Sequence, residues 1–169
     1  MGETLRAAAD ALITPEISLK AMSRLFASPC FPAGAGPDYV NAAAVLAVDG
    51  KDDLTSLMAL LHVVEAEFGR KRVQRWGMRT LDIDLLAVGQ SVLPDAEAQA
   101  RWRSLPLAEQ IASTPDRLIL PHPRMQDRAF VLVPLADVAP DWVHPLTGQS
   151  VRQMLEALPA ADRDAVKPL

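Results

Sequence analysis

The chain has 169 residues, half of them apolar and 22% charged, a composition of a folded globular domain rather than a disordered segment. Its formal net charge of −4 argues against a protein that coats nucleic acid, which calls for a basic surface. A single cysteine, Cys30, excludes an internal disulfide and a multi-cysteine zinc site, and reads as a small loop or core residue. The histidines, His62, His122 and His144, are scattered without zinc-ligand spacing. No apolar run is long enough to span a membrane, and the first residues lack the basic-then-apolar order of a secretory signal. Met1-Gly2 could begin a myristoylation site, but Arg6 stands where Ser or Thr is wanted. A cytoplasmic location is therefore the default expectation.

Residues 2–13 predict a helix, with Leu5, Ala8, Ala9 and Leu12 on one face. Residues 17–27 alternate Ile17, Leu19 and Ala21 against Ser18, Lys20 and Met22, the period of a strand. Residues 28–38, SPCFPAGAGPD, carry Pro and Gly at short intervals and predict a loop. Residues 39–48 predict a strand apolar on both faces, hence central. Asp52 or Asp53 can cap a helix reaching Phe68, with Leu54, Leu57, Leu61, Val64 and Phe68 as its buried stripe and Gly69 as its stop. A strand is predicted over 80–88. Residues 94–117 are polar and poorly periodic, anchored by Trp102 and Leu105-Pro106-Leu107, and read as a variable insertion in which 96–103 can form a helix. A short strand at 118–120 precedes a helix at 128–138, where Pro134 is expected near a first turn or a kink. A last amphipathic helix covers 151–158, and 160–169 is expected to fray. There are no repeats or low-complexity segments, so 1–169 reads as one domain.

The chemistry concentrates in residues 69–86, GRKRVQRWGMRTLDIDLL. Arg70, Lys71, Arg72, Arg75 and Arg79 form a positive island on an acidic chain, which suits a small polyanion such as a nucleotide. Asp82 and Asp84 then alternate with Leu81, Ile83 and Leu85. On a strand, side chains at i and i+2 leave the same face about 7 Å apart. Two carboxylates so placed can share hard divalent cations such as Mg²⁺, which is bound through carboxylates and substrate phosphates. Guanidinium groups upstream would neutralise phosphate oxygens. Together these make a phosphoryl-transfer constellation. A basic run alone is most often a solvated face, and Asp-x-Asp alone can be the polar side of a half-buried sheet. Joined head to tail around Trp76-Gly77, the two features weaken those bland readings.

RWGMRTLDIDLL at 75–86 closely resembles the signature of the 6-hydroxymethyl-7,8-dihydropterin pyrophosphokinases, enzymes of folate biosynthesis. The resemblance extends to PDYVNAAAVL at 37–46, VVEAEFGRKR at 63–72 and LPHPRMQDRAFVLVPLADVAP at 120–140. It covers most of residues 23–140, in the family's order. It implies an α+β fold, a ferredoxin-like sandwich of an antiparallel sheet and packed helices built on the order β-α-β-β-α-β. The elements predicted here run α-β-β-α-β, without the apolar strand and Gly-Ser/Ala-Asn turn with which family members begin. The favoured expectation is a start codon assigned too far downstream; the alternatives for the slot are a neighbouring molecule's strand, a rearranged segment of this chain or a gap. The domain as given is expected to be weakened, a monomer unless its open sheet edges allow strand-mediated association.

The same resemblance implies that ATP, as co-substrate, donates its β,γ-diphosphate to the hydroxymethyl oxygen of 6-hydroxymethyl-7,8-dihydropterin and that AMP leaves. Asp82 and Asp84 match ligands of two Mg²⁺ ions. Arg70 and Arg79 match arginines that contact the phosphates and assist the chemical step, so these four residues form the catalytic set. Glu65, Arg72, Arg75, His122 and Arg128 match ATP-side positions, and Trp76 a loop tryptophan that closes over the site. Ser28, Pro29 and Phe31 match a loop offering backbone groups to the pterin edge. Tyr39, Asn41 and Phe130 match residues that stack on the ring or pair with its edge through an amide. The loops at 28–38 and 70–78 are expected to open and shut around substrate. No general base is assigned, and neither nucleic acid nor membrane is expected as a partner. A nucleotide-sugar transferase using Asp-x-Asp would need a nucleotide-binding α/β half before the motif, for which the chain is too short. The remaining alternative is a truncated or degenerate relative that binds pterin without catalysis.

Overall fold

The computed structural model describes residues 2–30, 36–49, 54–69 and 81–169. The chain divides into two compact units, Met1–Asp84 with Lys167–Leu169, and Leu85–Val166. Both contain helices, and the first carries two small antiparallel sheets, so the fold is α+β.

In the first unit the apolar stripe predicted for the opening helix drives burial as expected. Ala8 and Ala9 on α1 (Gly2–Ala11), with Leu12 just beyond, are buried, and α1 packs on α2 (Leu54–Gly69). The α2 stripe is deepest at Leu61 and Val64, which are 3% and 2% exposed. Thr14 Oγ1 accepts the N–H groups of Glu16 and Ile17, turning the chain from α1 into β1 (Ile17–Met22).

Each of the two long predicted strands is divided in the structure. Residues 17–27 become β1 and β2 (Phe26–Ser28); residues 39–48 become β3 (Tyr39–Asn41) and β4 (Ala44–Val48). β1 runs antiparallel to β4, from Ile17 opposite Val48 to Met22 opposite Ala44, with a bulge between Leu19 and Ala21. β2 runs antiparallel to β3, Phe26 opposite Asn41 and Ser28 opposite Tyr39. Among the described residues β4 and β3 each pair on one side only, so neither is the central strand predicted from their apolar composition. The other edge of β2 is covered by β5 (Lys167–Pro168), and Leu169 N–H donates to the Leu25 carbonyl at 2.9 Å. The last residues therefore do not fray, because the open edge of β2 offers them a ladder. Phe26, 2% exposed, lies in the core of this unit.

Residues 81–88 pair with no strand among the described residues, contrary to the strand predicted over 80–88. Alternation alone does not supply a ladder; the segment's backbone groups find other partners. Ile83 N–H donates to Glu65 Oε1 at 2.7 Å, and within the second unit the Leu86 carbonyl accepts the His122 N–H at 2.8 Å.

In the second unit the short strand expected at 118–120 reduces to a single bridge, Leu93 opposite Leu120. The region read as an insertion is well structured. Asp95 Oδ1 caps α3 (Ala96–Ser104) by accepting Ala98 N–H, and α4 (Leu107–Ala112) follows. Gln99 on α3 is fully buried and donates to the Pro121 carbonyl at 3.1 Å. Leu120, Met125, Leu132 and Val151 have no exposed surface and form the centre of this core, where α5 (Ala129–Val138) packs on α6 (Val151–Ala157). Pro134 stands inside α5, in its second turn rather than its first, and is buried. It cannot return a hydrogen bond to the Phe130 carbonyl, but the helix is apolar nearly all round and its packing outweighs that loss. A capping box starts α6: Ser150 Oγ accepts Gln153 N–H and Gln153 Oε1 accepts Ser150 N–H. α7 (Ala160–Asp164) completes this unit.

His144 is fully buried, and its Nδ1 accepts the N–H groups of Leu146 and Thr147. Gly148, at φ +69°, closes the turn by donating its N–H to the His144 carbonyl. Burial holds the His144 imidazole below its usual pKa, and the Arg103 guanidinium adds to that shift.

Candidate active site

Leu81 is buried at 5% exposure, Asp82 is exposed, Ile83 is half-buried and Asp84 is exposed. Both acids are thus open to solvent on either side of an anchored isoleucine. The anchor is Glu65, one turn of α2 beyond the buried Leu61, whose carboxylate takes the Ile83 N–H. Carboxylates are hard, acceptor-only oxygen donors, so the pair Asp82 and Asp84 fits magnesium by its chemistry.

Three of the residues matched to the pterin, Ser28, Tyr39 and Asn41, lie on β2 and β3. Ser28 stands opposite Tyr39 in the ladder, and Asn41 Nδ2 donates to Ser28 Oγ at 2.9 Å. Ser28 is buried, while Tyr39 is 39% exposed and presents an aromatic surface. Pro29 is exposed at the start of the loop. Cys30, buried beside it, closes the ends of that loop: its Sγ lies 3.1 Å from the Gly36 carbonyl and accepts the Gly36 N–H at 3.2 Å. The single thiol is therefore a loop clasp, in line with its reading from sequence.

In the second unit His122, Arg128 and Phe130 follow one another around a 3₁₀ turn at Met125–Asp127. His122 Nδ1 accepts the Arg124 N–H at 3.1 Å, which assigns the ring proton to Nε2. The Arg128 guanidinium carbon lies 5.6 Å from the centre of the Phe130 ring, a cation–π contact. Phe130 is 40% exposed at the first turn of α5. Phe31, Arg70, Arg72, Arg75, Trp76 and Arg79 lie outside the described residues.

Residues 1–140 match the sequence profile of 7,8-dihydro-6-hydroxymethylpterin-pyrophosphokinase. The chain belongs to this pyrophosphokinase family. It is 39% identical over 133 residues to the 2-amino-4-hydroxy-6-hydroxymethyldihydropteridine pyrophosphokinase of Synechocystis, a match covering 79% of this chain and 55% of that protein. The Pseudomonas aeruginosa protein of that name is 39% identical over 158 residues, 93% of this chain and 83% of its own length. The Methylorubrum extorquens protein is 34% identical over 145 residues, 86% and 77% of the two chains. The family profile covers the Asp82-Ile83-Asp84 motif and the matched residues on β2, β3 and α5. Among the described residues no helix is long and apolar enough to cross a membrane.

Two features of this pyrophosphokinase family member escape sequence reasoning. One is the Glu65 carboxylate on the Ile83 amide, a bond across 18 positions. The other is the Cys30–Gly36 clasp. The family resemblance singles out Glu65, which otherwise reads as a surface helix glutamate, but nothing in the sequence names the Ile83 amide as its partner.

Proposed function

We propose that this chain transfers pyrophosphate from ATP to the hydroxymethyl group of 6-hydroxymethyl-7,8-dihydropterin, releasing AMP, as a step of folate biosynthesis. The observation that carries the reading is the exposed acid pair, Asp82 and Asp84, held about an anchored Ile83 within a family-matched sequence. Two magnesium ions bound there would screen the triphosphate and favour the ionised form of the attacking hydroxyl. Asp82 and Asp84 supply the hard oxygens for those ions. Arg70 and Arg79 balance charge on the transferring phosphates, with Arg72, Arg75, Trp76, His122 and Arg128 on the nucleotide side, while Glu65, matched to that side by the family resemblance, has its carboxylate on the Ile83 amide. His122, whose Nδ1 accepts the Arg124 N–H, belongs to the nucleotide side by the family resemblance. Asn41 presents an amide for the pterin edge, oriented by Ser28 Oγ, the loop of Ser28, Pro29 and Phe31 offers backbone groups to that edge, and Tyr39 and Phe130 offer ring faces. With little covalent work for protein groups, placing the two substrates supplies much of the rate.

The finer reading of the fold belongs to the same proposal: a ferredoxin-like sandwich in a single domain over 1–169. Its support is that 81–84 alternates in burial as a strand does and that β1–β4 and β2–β3 are antiparallel pairs. The deciding experiment is AMP release from Mg-ATP and the reduced pterin. Asp82→Ala is expected to abolish AMP release and to leave pterin binding without nucleotide nearly intact. Unchanged turnover in that variant would refute the metal assignment.

A further inference from the structure

We propose that Glu65 is a positioning residue for the acid pair, fixing the peptide between Asp82 and Asp84 so that both carboxylates stand in one arrangement. The inference rests on the reading of those acids as magnesium ligands, and gives Glu65 a task other than touching nucleotide.

In a paired strand, neighbouring carbonyls set the spacing of alternate side chains. Residues 81–88 have no such ladder among the described residues. The Ile83 amide is taken instead by Glu65 Oε1 at 2.7 Å, within the range of a charge-assisted hydrogen bond. Ile83 is the one residue between the acids, so holding its N–H restricts the backbone torsions that set their separation. Glu65 can act as a strut because its helix is locked: it follows Val64 directly and lies one turn after Leu61, both buried. Its charge also lies near the pair and would favour cations there, a second effect that the right substitutions separate from geometry.

Glu65→Gln keeps an oxygen that can accept the Ile83 N–H but removes the charge. Glu65→Asp keeps the charge but is one methylene too short to reach. Glu65→Ala removes both. Three quantities distinguish them in the full chain: hydrogen exchange of the Ile83 amide without nucleotide, the Mg²⁺ concentration for half-maximal AMP release, and the KM for ATP. Ile83 is expected to exchange at least about tenfold faster in Glu65→Ala and Glu65→Asp, with Glu65→Gln close to wild type. The same two variants should need about tenfold more Mg²⁺ and lose kcat, with the ATP KM within about twofold, and Glu65→Gln should recover most of both.

A raised ATP KM with unaltered Mg²⁺ dependence would overturn the proposal and make Glu65 a nucleotide contact. Activity in Glu65→Asp equal to that in Glu65→Gln would also overturn it. Should Glu65→Ala not fold, that comparison of Gln with Asp decides alone. Asp82→Ala, run alongside, separates the two levels: if it retains full activity the metal reading falls, whereas an inactive Asp82→Ala beside an unaffected Glu65→Asp sinks only the strut.

Discussion

Ser23 and Ala43 exchange two hydrogen bonds at the point where both long strands break. Ser23 N–H donates to the Ala43 carbonyl at 2.8 Å, and Ala43 N–H donates to Ser23 Oγ at 2.9 Å. The hydroxyl in turn donates to the Arg24 carbonyl at 2.7 Å. One buried side chain thus replaces a ladder partner and lets the register shift between the β1–β4 and β2–β3 pairs.

Ser23→Ala removes the acceptor of the Ala43 amide and leaves that amide part-buried. A loss of about 1–2 kcal/mol in unfolding free energy is expected, read as a lower urea midpoint with unchanged slope. A variant as stable as wild type would mean that water replaces the hydroxyl.

The bond from Asn41 to Ser28 predicts a graded loss of pterin affinity. Asn41→Ala removes the amide and should raise the pterin Kd by about tenfold or more, followed by pterin fluorescence without nucleotide. Ser28→Ala removes only the partner that orients the amide and should cost about threefold. Neither should change the KM for ATP by more than about twofold if Asn41 serves the pterin.

Chelation should stop AMP release at every ATP concentration and leave pterin binding in place. Asp84→Asn keeps the shape of the side chain but not its charge, and is expected to lower kcat by about two orders of magnitude. Full activity in excess chelator would refute a magnesium-dependent mechanism.

His144 predicts a loss of stability in mild acid. Burial, with the Arg103 guanidinium, lowers its pKa in the folded chain, while in the unfolded chain it titrates near the ordinary value of 6.5. Below that value the unfolded chain binds the proton that the folded chain refuses, so stability falls as pH drops until the folded pKa is reached. Urea midpoints measured between pH 7.5 and pH 5 should fall less steeply in His144→Asn, which can accept the same N–H groups without titrating. Equal slopes in the two proteins would assign the acid sensitivity to other groups.

Periodicity located α1, α2, α5 and α6 to within a few residues, because the side of a helix that is buried is written in local spacing. It also placed Asp82 and Asp84 on the wet side of Leu81. Where it failed, the missing information was a distant partner. Ser18, Lys20 and Met22 promised an unbroken strand to Ala27, but Ser23 found Ala43. Pro134 is expected near a first turn or a kink, but it stands in the second turn of α5, whose burial among apolar side chains holds it. The polar stretch 94–117 hid the fully buried Gln99, whose amide is tied to Pro121.

From the order of residues alone came the helical segments, the alternation around the two acids and the motif that places the chain among pyrophosphokinases. Folding in three dimensions decided which group answers the amides and carbonyls that local structure leaves over: Glu65 for Ile83, Ala43 for Ser23, Leu169 for Leu25. Side-chain spacing selects the face to be buried, and it acts over a few residues. A backbone hydrogen bond is chosen among whatever groups the whole chain carries within reach.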